Sequence, residues 1–369
     1  MFKHLMLAVA MTGIVALAAD PNGQTPGAVR DTGDNVILVT LDGARTQEVF
    51  GGLDREILAS TLKADQPIEQ SPTFSRYGAA TREERRQKLM PFLWRLMSST
   101  GSIAGDQTMG STVQLRNRLW FSYPGYAEIL LGEPHDDTLK SNDPIRNPYT
   151  TVLERIREAL NLPRDKVATF ASWSVIDAIA EHVEGATTVN AGLDPFGATD
   201  PAIRAIDDLQ REARPPWGGI RHDAFTFRLA MHHLAAARPR VLYISFDETD
   251  DWAHDGRYDL VLDAYTRIDD YLRQLWTWVE SQPGYQGRTH LLITTDHGRG
   301  RTPADWRSHG EKAPGSQDTW IAMVSPRLAQ RGVWRDQPPL STSQIAATLA
   351  GWMGVDWRAD HPGAGDSIR

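Results

Sequence analysis

Three stretches of this sequence are apolar, rich in β-branched residues, and end abruptly at acidic residues. They read NVILVTLDG at 35–43, RVLYISFDETDDWAH at 240–254 and HLLITTDHGRG at 290–300. Runs of this length, with helical segments between them, are typical of parallel strands that helices cover on both faces. The pattern therefore predicts an α/β fold whose central sheet is mostly parallel.

The same stretches indicate where the chemistry lies. In open α/β sheets, ligands bind outside the carboxyl ends of the strands, and these ends carry Asp42, Asp250 and Asp296. Carboxylates gathered at one edge repel one another unless cations neutralise them. We therefore interpret Asp296 and its neighbour His297 as metal ligands.

Helices and strands alternate along the rest of the chain. Apolar runs at 167–173 and 320–326 predict two more strands. The spacing of apolar residues predicts helices at 82–97, 147–160, 200–213, 221–237, 257–280 and 341–354. Asp200 and Ser341 stand at the starts of two of them as predicted N-caps, with Pro201 in the first helical position.

Composition and charge narrow the class of protein. With 369 residues, of which 41% are hydrophobic and 23% charged, the chain is typical of globular proteins. Its formal net charge of -8 lacks the basic surface that binds phosphate backbones, which argues against nucleic-acid polymers as partners. The sequence has no cysteine, which excludes disulfides and a lipid-anchored cysteine.

The first residues have the features of a secretory signal peptide. A basic start at Lys3 precedes an apolar run and small residues at 16–18. The run is shorter than the roughly 20 residues of a spanning helix, so we expect cleavage near Ala18 and no stable membrane anchor. The mature protein would be periplasmic or secreted. We expect a signal peptide at 1–18, a flexible leader at 19–34 and a single domain at 35–369, with insertions around 51–90 and 175–222.

Two further histidines are candidate metal ligands. His254 follows Asp250 by four residues, and His309 lies in a loop beside a glycine. Imidazole and carboxylate ligands together are typical of catalytic zinc sites. Asp247 and Asp251 remain alternatives to Asp250 as the acidic ligand of this part of the site.

Ser122, in the stretch FSYPGY, is the candidate nucleophile. It precedes a segment with helical character. A serine at that position can simply cap the helix. The N-terminus of a helix also favours the negative charge of a phosphate under attack, and a divalent cation makes a nearby hydroxyl easier to deprotonate.

Together these motifs resemble the alkaline phosphatase superfamily, and in particular its nucleotide pyrophosphatase/phosphodiesterase-like branch. The likeness rests on TLDG, FSYPGY, ETDDWAH, TTDHG and SHG in this order, and spans residues 35–310. It implies a three-layer α/β/α sandwich with two metal ions at the carboxyl edge of the sheet. Two departures are Ser122, where threonine is usual, and Gly125, where asparagine often follows the proline.

Carried over motif by motif, the resemblance implies a role for each residue. Ser122 would be the nucleophile and would also contact one of two divalent ions, with zinc expected and manganese as the alternative. The implied ligands are Asp250, His254 and His309 for one ion, and Asp42, Asp296 and His297 for the other.

Side chains near these motifs are candidates for contacts with the substrate. The planar guanidinium of arginine donates two hydrogen bonds at once and therefore suits phosphate oxygens, and side-chain amides can also donate to them. The candidates are Asn117, Arg118, Lys140 and Asn142, with Arg116, Arg299, Arg301 and Arg307 as further cations. The aromatic residues that would form an apolar wall for a leaving group are Trp120, Phe121, Tyr123, Trp252 and Trp306.

The sequence thus predicts an exported two-metal hydrolase that cleaves small phosphate esters, either diesters or monoesters, through a covalent phosphoserine. A sulfatase of the same superfamily would need an arginine where Tyr126 stands. A phosphotransferase similar to phosphoglycerate mutase carries a large second domain after the nucleophile, and the interval from Ser122 to Asp250 is short for one. A non-catalytic secreted metal-binding protein would lack ligands, and none is missing.

Overall fold

The computed structural model describes residues 29–197 and 199–368, so the expected signal peptide lies outside the described residues. The strands are β1 (Asn35–Leu41), β2 (Ser102–Ala104), β3 (Val113–Gln114), β4 (Val167–Ala171), β5 (Thr188–Ala191), β6 (Val241–Phe246), β7 (Thr289–Thr294), β8 (Asp318–Thr319), β9 (Ile321–Val324), β10 (Gly332–Val333) and β11 (Leu340–Ser341). The helices are α1 (Thr46–Gly51), α2 (Arg55–Thr61), α3 (Pro72–Tyr77), α4 (Arg82–Leu89), α5 (Pro91–Ser99), α6 (Ser122–Leu131), α7 (Val152–Ala159), α8 (Ile176–Ala180), α9 (Pro201–Glu212), α10 (Asp223–Ala237), α11 (Glu248–His254), α12 (Tyr258–Ser281) and α13 (Ile345–Trp352).

Eight strands form the central sheet, in the order β10-β2-β9-β7-β1-β6-β4-β5. β1 lies in the middle and pairs in parallel with β6 and β7, whereas β9 is antiparallel to β7. Thr40 of β1 lies opposite Ser245 on one side and Thr294 on the other. The carboxyl ends of β1, β6 and β7 are therefore level, and the residues that follow these strands meet at one edge.

Alternate residues of β1 enter two hydrophobic cores, one on each face of the sheet. Ile37, Val39 and Leu41 belong to the core that packs against α1, α2, α5, α10 and α12. Val36 and Leu38 belong to the core formed with α6, α7, α8 and α13. The alternation follows from the two-residue period of a strand. Helices on both faces confirm the three-layer α/β/α sandwich.

The five predicted strands are all present, as β1, β4, β6, β7 and β9. The single helix expected at 82–97 is wrong, because the segment forms two helices, α4 and α5, that meet at Met90. Pro91 cannot donate a backbone hydrogen bond and disfavours helical dihedrals in the residue before it. Met90 accordingly adopts φ -132° and ψ 67°. Strands as short as β2, β3 and β5 carry too few residues to show a period in the sequence.

Both predicted helix starts have side-chain or backbone partners. The Asp200 carboxylate accepts a hydrogen bond from the backbone N–H of Ala202 at 2.8 Å, with Pro201 first in α9. Ser341 precedes a single 3₁₀ turn that leads into α13, and its backbone N–H donates to the Gln344 side chain at 3.0 Å. The start of α9 is therefore confirmed, whereas α13 itself begins four residues after Ser341, at Ile345.

Residues 30–34 belong to the fold and not to a leader. The backbone N–H of Arg30 donates to the carbonyl of Gly354 at 3.0 Å, and the Thr32 hydroxyl donates to the carbonyl of Trp352 at 2.9 Å. The expected leader at 19–34 is therefore too long at this end. The segment expected as an insertion at 175–222 also contributes β5, which pairs with β4 at the border of the sheet.

No helix in the described ranges is both long and apolar enough to cross a membrane.

Candidate metal centre

The carboxyl ends of β1 and β7 bring three predicted ligands together. Asp42 follows β1 directly, and Asp296 and His297 lie just beyond β7. His297 Nε2 lies 3.5 Å from Asp42 Oδ1 and 3.4 Å from Asp296 Oδ2. The backbone N–H of Gly43 donates to the other Asp296 oxygen at 3.0 Å, which fixes this carboxylate. Ligand atoms of the three residues all lie within 4.8 Å of one another.

The imidazole of His297 presents an unprotonated nitrogen to these carboxylates. Its Nδ1 lies 2.8 Å from the carbonyl oxygen of Gly298, an acceptor, so Nδ1 carries the proton and donates it. Nε2 is then an acceptor that faces the acceptor oxygens of Asp42 and Asp296. Such an arrangement is stable around a shared cation, or with an added proton.

Asp250, His254 and His309 form a second group beside the first. Asp250 and His254 lie four residues apart in α11, which puts them on the same side of the helix. His254 Nε2 lies 3.0 Å from Asp250 Oδ2 and 3.0 Å from His309 Nε2. The ring of His309 also stacks on that of His297, with centroids 4.1 Å apart. His297 therefore stands between the two groups.

Asp250, of the three acidic candidates on this segment, is the one that contacts a predicted histidine ligand. Asp250, His297 and His309 also bring ligand atoms within 4.8 Å of one another. Burial and then the charge of Asp251 raise the pKa of Asp247 well above its usual value, and burial raises the pKa of Asp251. The geometry thus favours Asp250 as the ligand.

Burial works against charge on two carboxylates and three imidazoles of the centre. Burial, and after it the charge of Asp296, raises the pKa of Asp42 well above its usual value, and burial also raises the pKa of Asp296. Burial lowers the pKa of His254, His297 and His309. A divalent cation would favour ionised carboxylates together with neutral imidazoles, which is the protonation pattern of a metal site.

Unpartnered ligand atoms indicate that the donor set fits such cations. Asp42 Oδ1, Asp296 Oδ2 and His309 Nδ1 are buried and have no hydrogen-bond partner within 29–197 and 199–368. Buried polar atoms are nearly always paired in proteins. Oxygens that face an imidazole lone pair are satisfied by a cation, and a mixed set of imidazole and carboxylate ligands suits zinc.

Ser122 begins α6 and lies against this centre. Its Oγ is 3.4 Å from His297 Nε2, and the residue is 6% exposed. The close approach depends on Gly125, one turn further on, because a Cβ at that position would stand 2.3 Å from the carbonyl oxygen of Asp296. Gly125, which departs from the pattern of the branch, thus lets α6 pack onto the end of β7.

The four predicted substrate-binding residues lie in different settings. Asn117 is buried, and its amide donates to Glu128 and accepts from the backbone at 119–120. Arg118 is 82% exposed and contacts Asp136. Lys140 and Asn142 are exposed. Asn142 lies close to Ser122, since its Oδ1 accepts from the backbone N–H of the next residue at 2.9 Å. A role for all four in substrate binding stays a prediction.

The three arginines between the last two ligand motifs contact the protein itself. Arg299 contacts Asp250, Arg301 contacts Asp318, and Arg307 donates to the carbonyl of His254 at 2.8 Å. Arg299 is 1% exposed and is therefore not available to a phosphate, whereas Arg301 and Arg307 are exposed and a phosphate role for them stays a prediction. The loop that carries them folds back onto the ligand helix α11.

The expected aromatic wall divides into two parts. Tyr123 and Trp306 are 2% and 3% exposed and belong to the hydrophobic cores, so they are not available to a ligand. Trp120 and Phe121, immediately before Ser122, are partly exposed. Trp252 is partly buried beside Trp217, with ring centroids 4.5 Å apart.

Some residues that shape the centre were missed by sequence reasoning. Asp223 at the start of α10 accepts from the backbone N–H groups of Asp247 and Glu248 at 2.9 and 3.3 Å, and so caps α11. Glu248 in return accepts from the backbone N–H of Asp223 at 3.1 Å. Two helix N-termini thus stabilise each other through acidic side chains. No signal in the sequence pairs residues 25 positions apart in this way.

The α/β/α sandwich, with clustered aspartates and histidines beside a serine at its carboxyl edge, belongs to the fold class of the alkaline phosphatase superfamily. The sequence model described as type I phosphodiesterase / nucleotide pyrophosphatase matches residues 146–340, just over half of the chain. The chain belongs to this family, which makes it a phosphoester hydrolase by type. The match begins after Asp42 and Ser122, so it does not bear on them.

Solved structures of the superfamily share the fold at very low sequence identity. The alkaline phosphatase PafA has a TM-score of 0.57 and 10% identity, covering 92% of this chain and 99% of its own. The phosphonate monoester hydrolase SpPMH from Silicibacter pomeroyi has a TM-score of 0.53 and 12% identity, with 91% and 76% covered. The lipoteichoic acid synthase LtaP from Listeria monocytogenes has a TM-score of 0.54 and 9% identity, with 89% and 76% covered. No curated protein matches the sequence.

Proposed function

We propose that this protein is an exported hydrolase that cleaves small phosphate esters with the help of two divalent ions and a covalent phosphoserine intermediate. The observation that carries the proposal is the convergence of Asp42, Asp296 and His297, with buried ligand atoms facing one another. Ser122 Oγ adjoins this group, 3.4 Å from His297 Nε2. Family membership supports the hydrolysis of phosphate esters.

Each ion would have three protein ligands from the residues described above. The assignments are Asp42, Asp296 and His297 for one ion, and Asp250, His254 and His309 for the other. When bound, such ions supply positive charge that polarises a phosphate and increases the acidity of a neighbouring hydroxyl. Zinc suits these ligands, and manganese is the alternative.

Ser122 would act in two steps. In the first, its Oγ attacks phosphorus and the bond from phosphorus to the leaving alcohol breaks, which leaves the serine phosphorylated. In the second, water attacks the same phosphorus, the bond to Oγ breaks, and the hydroxyl is restored. The N-terminus of α6 adds the positive end of its dipole beside the phosphate in both steps.

Removal of metal tests the core of this proposal. Treatment with a chelator should abolish hydrolysis of an aryl phosphate ester, and zinc or manganese should restore it. Elemental analysis of the restored protein should find two ions per chain. A parallel treatment with chelator already saturated with zinc controls for effects of the chelator itself. Full activity in metal-free protein would contradict the proposal.

A substrate panel separates the rival functions. The panel contains matched aryl phosphomonoesters, phosphodiesters, phosphonates and sulfates. A sulfate should be a poor substrate, because Tyr126, where a sulfatase needs arginine, is buried and donates to Asp42 Oδ2 at 2.8 Å. Two bound ions with no turnover of any compound would instead favour a non-catalytic metal-binding protein.

Export has its own test. The expected signal peptide predicts that the mature chain begins close to residue 19. N-terminal sequencing of protein recovered from the periplasm or the medium checks this position. Intact Met1 on protein retained in the cytoplasm would contradict export and leave the proposed chemistry unaffected.

A further inference from the structure

Arg299 brings a fixed positive charge of the chain into the metal centre. The residue is 1% exposed, and its Nη1 contacts Asp250 Oδ1. The same guanidinium donates through Nε to the carbonyl of Trp306 at 3.1 Å and through Nη2 to the carbonyl of Arg307. Three contacts on different sides therefore hold the charge against a predicted metal ligand.

The backbone after β1 lies close against this guanidinium and the carboxylate that it contacts. Gly43, directly after Asp42, has φ +58°, and a Cβ at this position would stand 2.3 Å from Asp250 Oδ1 and 3.0 Å from Arg299 Nη1. The end of β1 thus closes over the contact between Asp250 and Arg299. Two of its other donors are engaged by the carbonyl groups of Trp306 and Arg307, which hold the guanidinium beside Asp250.

The two ligand groups consequently differ in net charge. Asp42 and Asp296 give the first group two negative charges when both are ionised. Asp250 gives the second group one, and Arg299, in direct contact with it, offsets that charge. Burial raises the pKa of Asp42 and the charge of Arg299 acts to lower it, but without a direct contact, so the effect of Arg299 on the first group is the weaker one. Charges in a buried setting are poorly screened, so a cation entering the second group meets strong repulsion from the guanidinium.

We propose that Arg299 makes the two ion sites unequal, so that the site of Asp42, Asp296 and His297 fills first and tightly, and the site of Asp250, His254 and His309 fills second and weakly. The inference rests on the proposed function in one respect, the presence of two ion sites. In this inference Arg299 sets the relative affinity of the two sites for metal ions, a role distinct from phosphate binding and from packing.

A second effect of Arg299 has the opposite sign. The side chain also tethers the backbone at 306–307, which leads to the ligand His309. Loss of this tether would weaken the second site, whereas loss of the charge would strengthen it. The charge dominates, because the guanidinium touches the ligand carboxylate of Asp250 itself and reaches His309 only through the intervening loop.

Titration of the metal-free mature protein with Co²⁺ tests this inference, with binding followed by visible absorption and by calorimetry. We expect two steps whose dissociation constants differ by at least about tenfold. Asp42→Asn should remove the tighter step and His309→Gln the weaker one. Arg299→Met should tighten the weaker step by at least about tenfold, and Arg299→Lys, which keeps the charge, should tighten it much less.

Arg301→Met is the matched control, since Arg301 lies in the same loop but contacts Asp318 and is 45% exposed. It should leave both steps unchanged. Three outcomes would each overturn the inference while the two-ion hydrolase stands. The unaltered protein could show two equal steps, Asp42→Asn could lose the weaker step, or Arg299→Met could bind the second ion more weakly. Binding of fewer than two ions by the unaltered protein would overturn the proposed function as well. If Arg299→Met does not fold, Arg299→Gln, which removes the charge and keeps polar contacts to the loop, takes its place, and an unchanged or weaker second step in that variant would overturn the inference.

Discussion

The two edges of the central sheet each bring a serine, a histidine and an aspartate together, but the groups around them differ. At the amino edge, Ser325 Oγ lies 2.7 Å from His290 Nδ1, and His290 Nε2 lies 3.3 Å from Asp34 Oδ2. Arg327 contacts Asp34 and donates its backbone N–H to Ser325 Oγ at 3.0 Å. Trp352 stacks on the imidazole. The chain itself supplies a partner to each group.

At the carboxyl edge the same residue types face further acceptors. Ser122 Oγ lies 3.4 Å from His297 Nε2, and that nitrogen lies 3.5 Å from Asp42 Oδ1. The next neighbour is another carboxylate, Asp296, and Asp42 Oδ1 lacks a hydrogen-bond partner in the described part of the chain. The comparison teaches that proximity of reactive residue types does not define a site. A site is defined by ligand atoms that lack a partner in the described part of the chain and can bind a group from outside it.

The largest expected effect separates the two serines. Ser122→Ala should retain both ions and lower turnover of phosphate esters by at least about a thousandfold, because the attacking oxygen is lost. Ser325→Ala, at the amino edge, should leave turnover unchanged. Steady-state kinetics with metal analysis, and mass spectrometry of acid-quenched protein for a phosphorylated Ser122, measure both claims. Near-normal turnover in Ser122→Ala would assign the attack to water and remove the covalent step.

The second prediction compares one amide substitution at each edge in metal-free protein. Asp42→Asn should raise the free energy of unfolding by about 1 to 2 kcal/mol, because burial and the charge of Asp296 raise the pKa of Asp42 and disfavour its ionised form. Asp34→Asn should lower it by about 2 kcal/mol, because Arg327 loses the charge of its partner. Urea unfolding at neutral pH in the presence of chelator measures both. If both variants change the free energy of unfolding in the same direction, the proposed difference between the two edges is wrong.

The sequence was sufficient for five of the eight strands of the central sheet and for the edge at which the candidate ligands meet. Buried parallel strands such as β1 and β6 require continuous apolar runs, and the acidic residues after them can only meet at the carboxyl edge. The period of apolar residues likewise indicated the long helix α12. These features depend on local pattern and on topology, both of which a single sequence carries.

The contacts that tune the centre could not be predicted. Asp223 caps α11 from 25 positions away, and Arg299 contacts Asp250 from 49 positions away. Both depend on side-chain directions that follow from packing after the chain has folded. The sequence indicated arginines near the candidate site, and only the structure distinguishes an arginine that faces solvent from one that contacts a candidate metal ligand.

The third prediction concerns the pH dependence of stability at the amino edge. Burial lowers the pKa of His290 to about 4, whereas a histidine in an unfolded chain titrates near 6.5. The unfolded state thus binds the proton more readily, so stability is complete above about pH 6.5 and falls as the pH decreases toward 4. Between about pH 7.5 and about pH 5 the loss attributable to His290 is about 2 kcal/mol.

His290→Gln should remove this part of the pH dependence while retaining polar contacts to Ser325 and Asp34. Urea unfolding of the metal-loaded protein across the pH range measures the difference between the unaltered chain and the variant. The subtraction cancels the groups of the carboxyl edge, which both chains share. Parallel stability profiles would contradict the assignment of a neutral, buried His290.

The smallest expected effect concerns the preference for one class of substrate, and it depends on the contacts that the arginines make at the two edges. At the amino edge, Arg327 neutralises Asp34. At the carboxyl edge, Arg299 and Arg301 contact aspartates of the chain, and Arg307 contacts a backbone carbonyl. Few fixed cationic donors near Ser122 are therefore free to face a phosphate.

A phosphomonoester dianion requires more cationic donors than a diester monoanion, whose second group can lie against the partly exposed Trp120 and Phe121. We therefore expect kcat/KM for an aryl phosphodiester to exceed that for the matched monoester by about tenfold, or about 1.4 kcal/mol in the barrier. Trp120→Ala should reduce the diester value more than the monoester value, whereas a loss of metal would reduce both. A tenfold preference for the monoester would contradict this prediction and assign the missing charge to an exposed predicted cation, with Arg118 and Lys140 as the first candidates. Arg118→Ala and Lys140→Ala would then show which of them selects the dianion, because only that variant would lose the monoester preference.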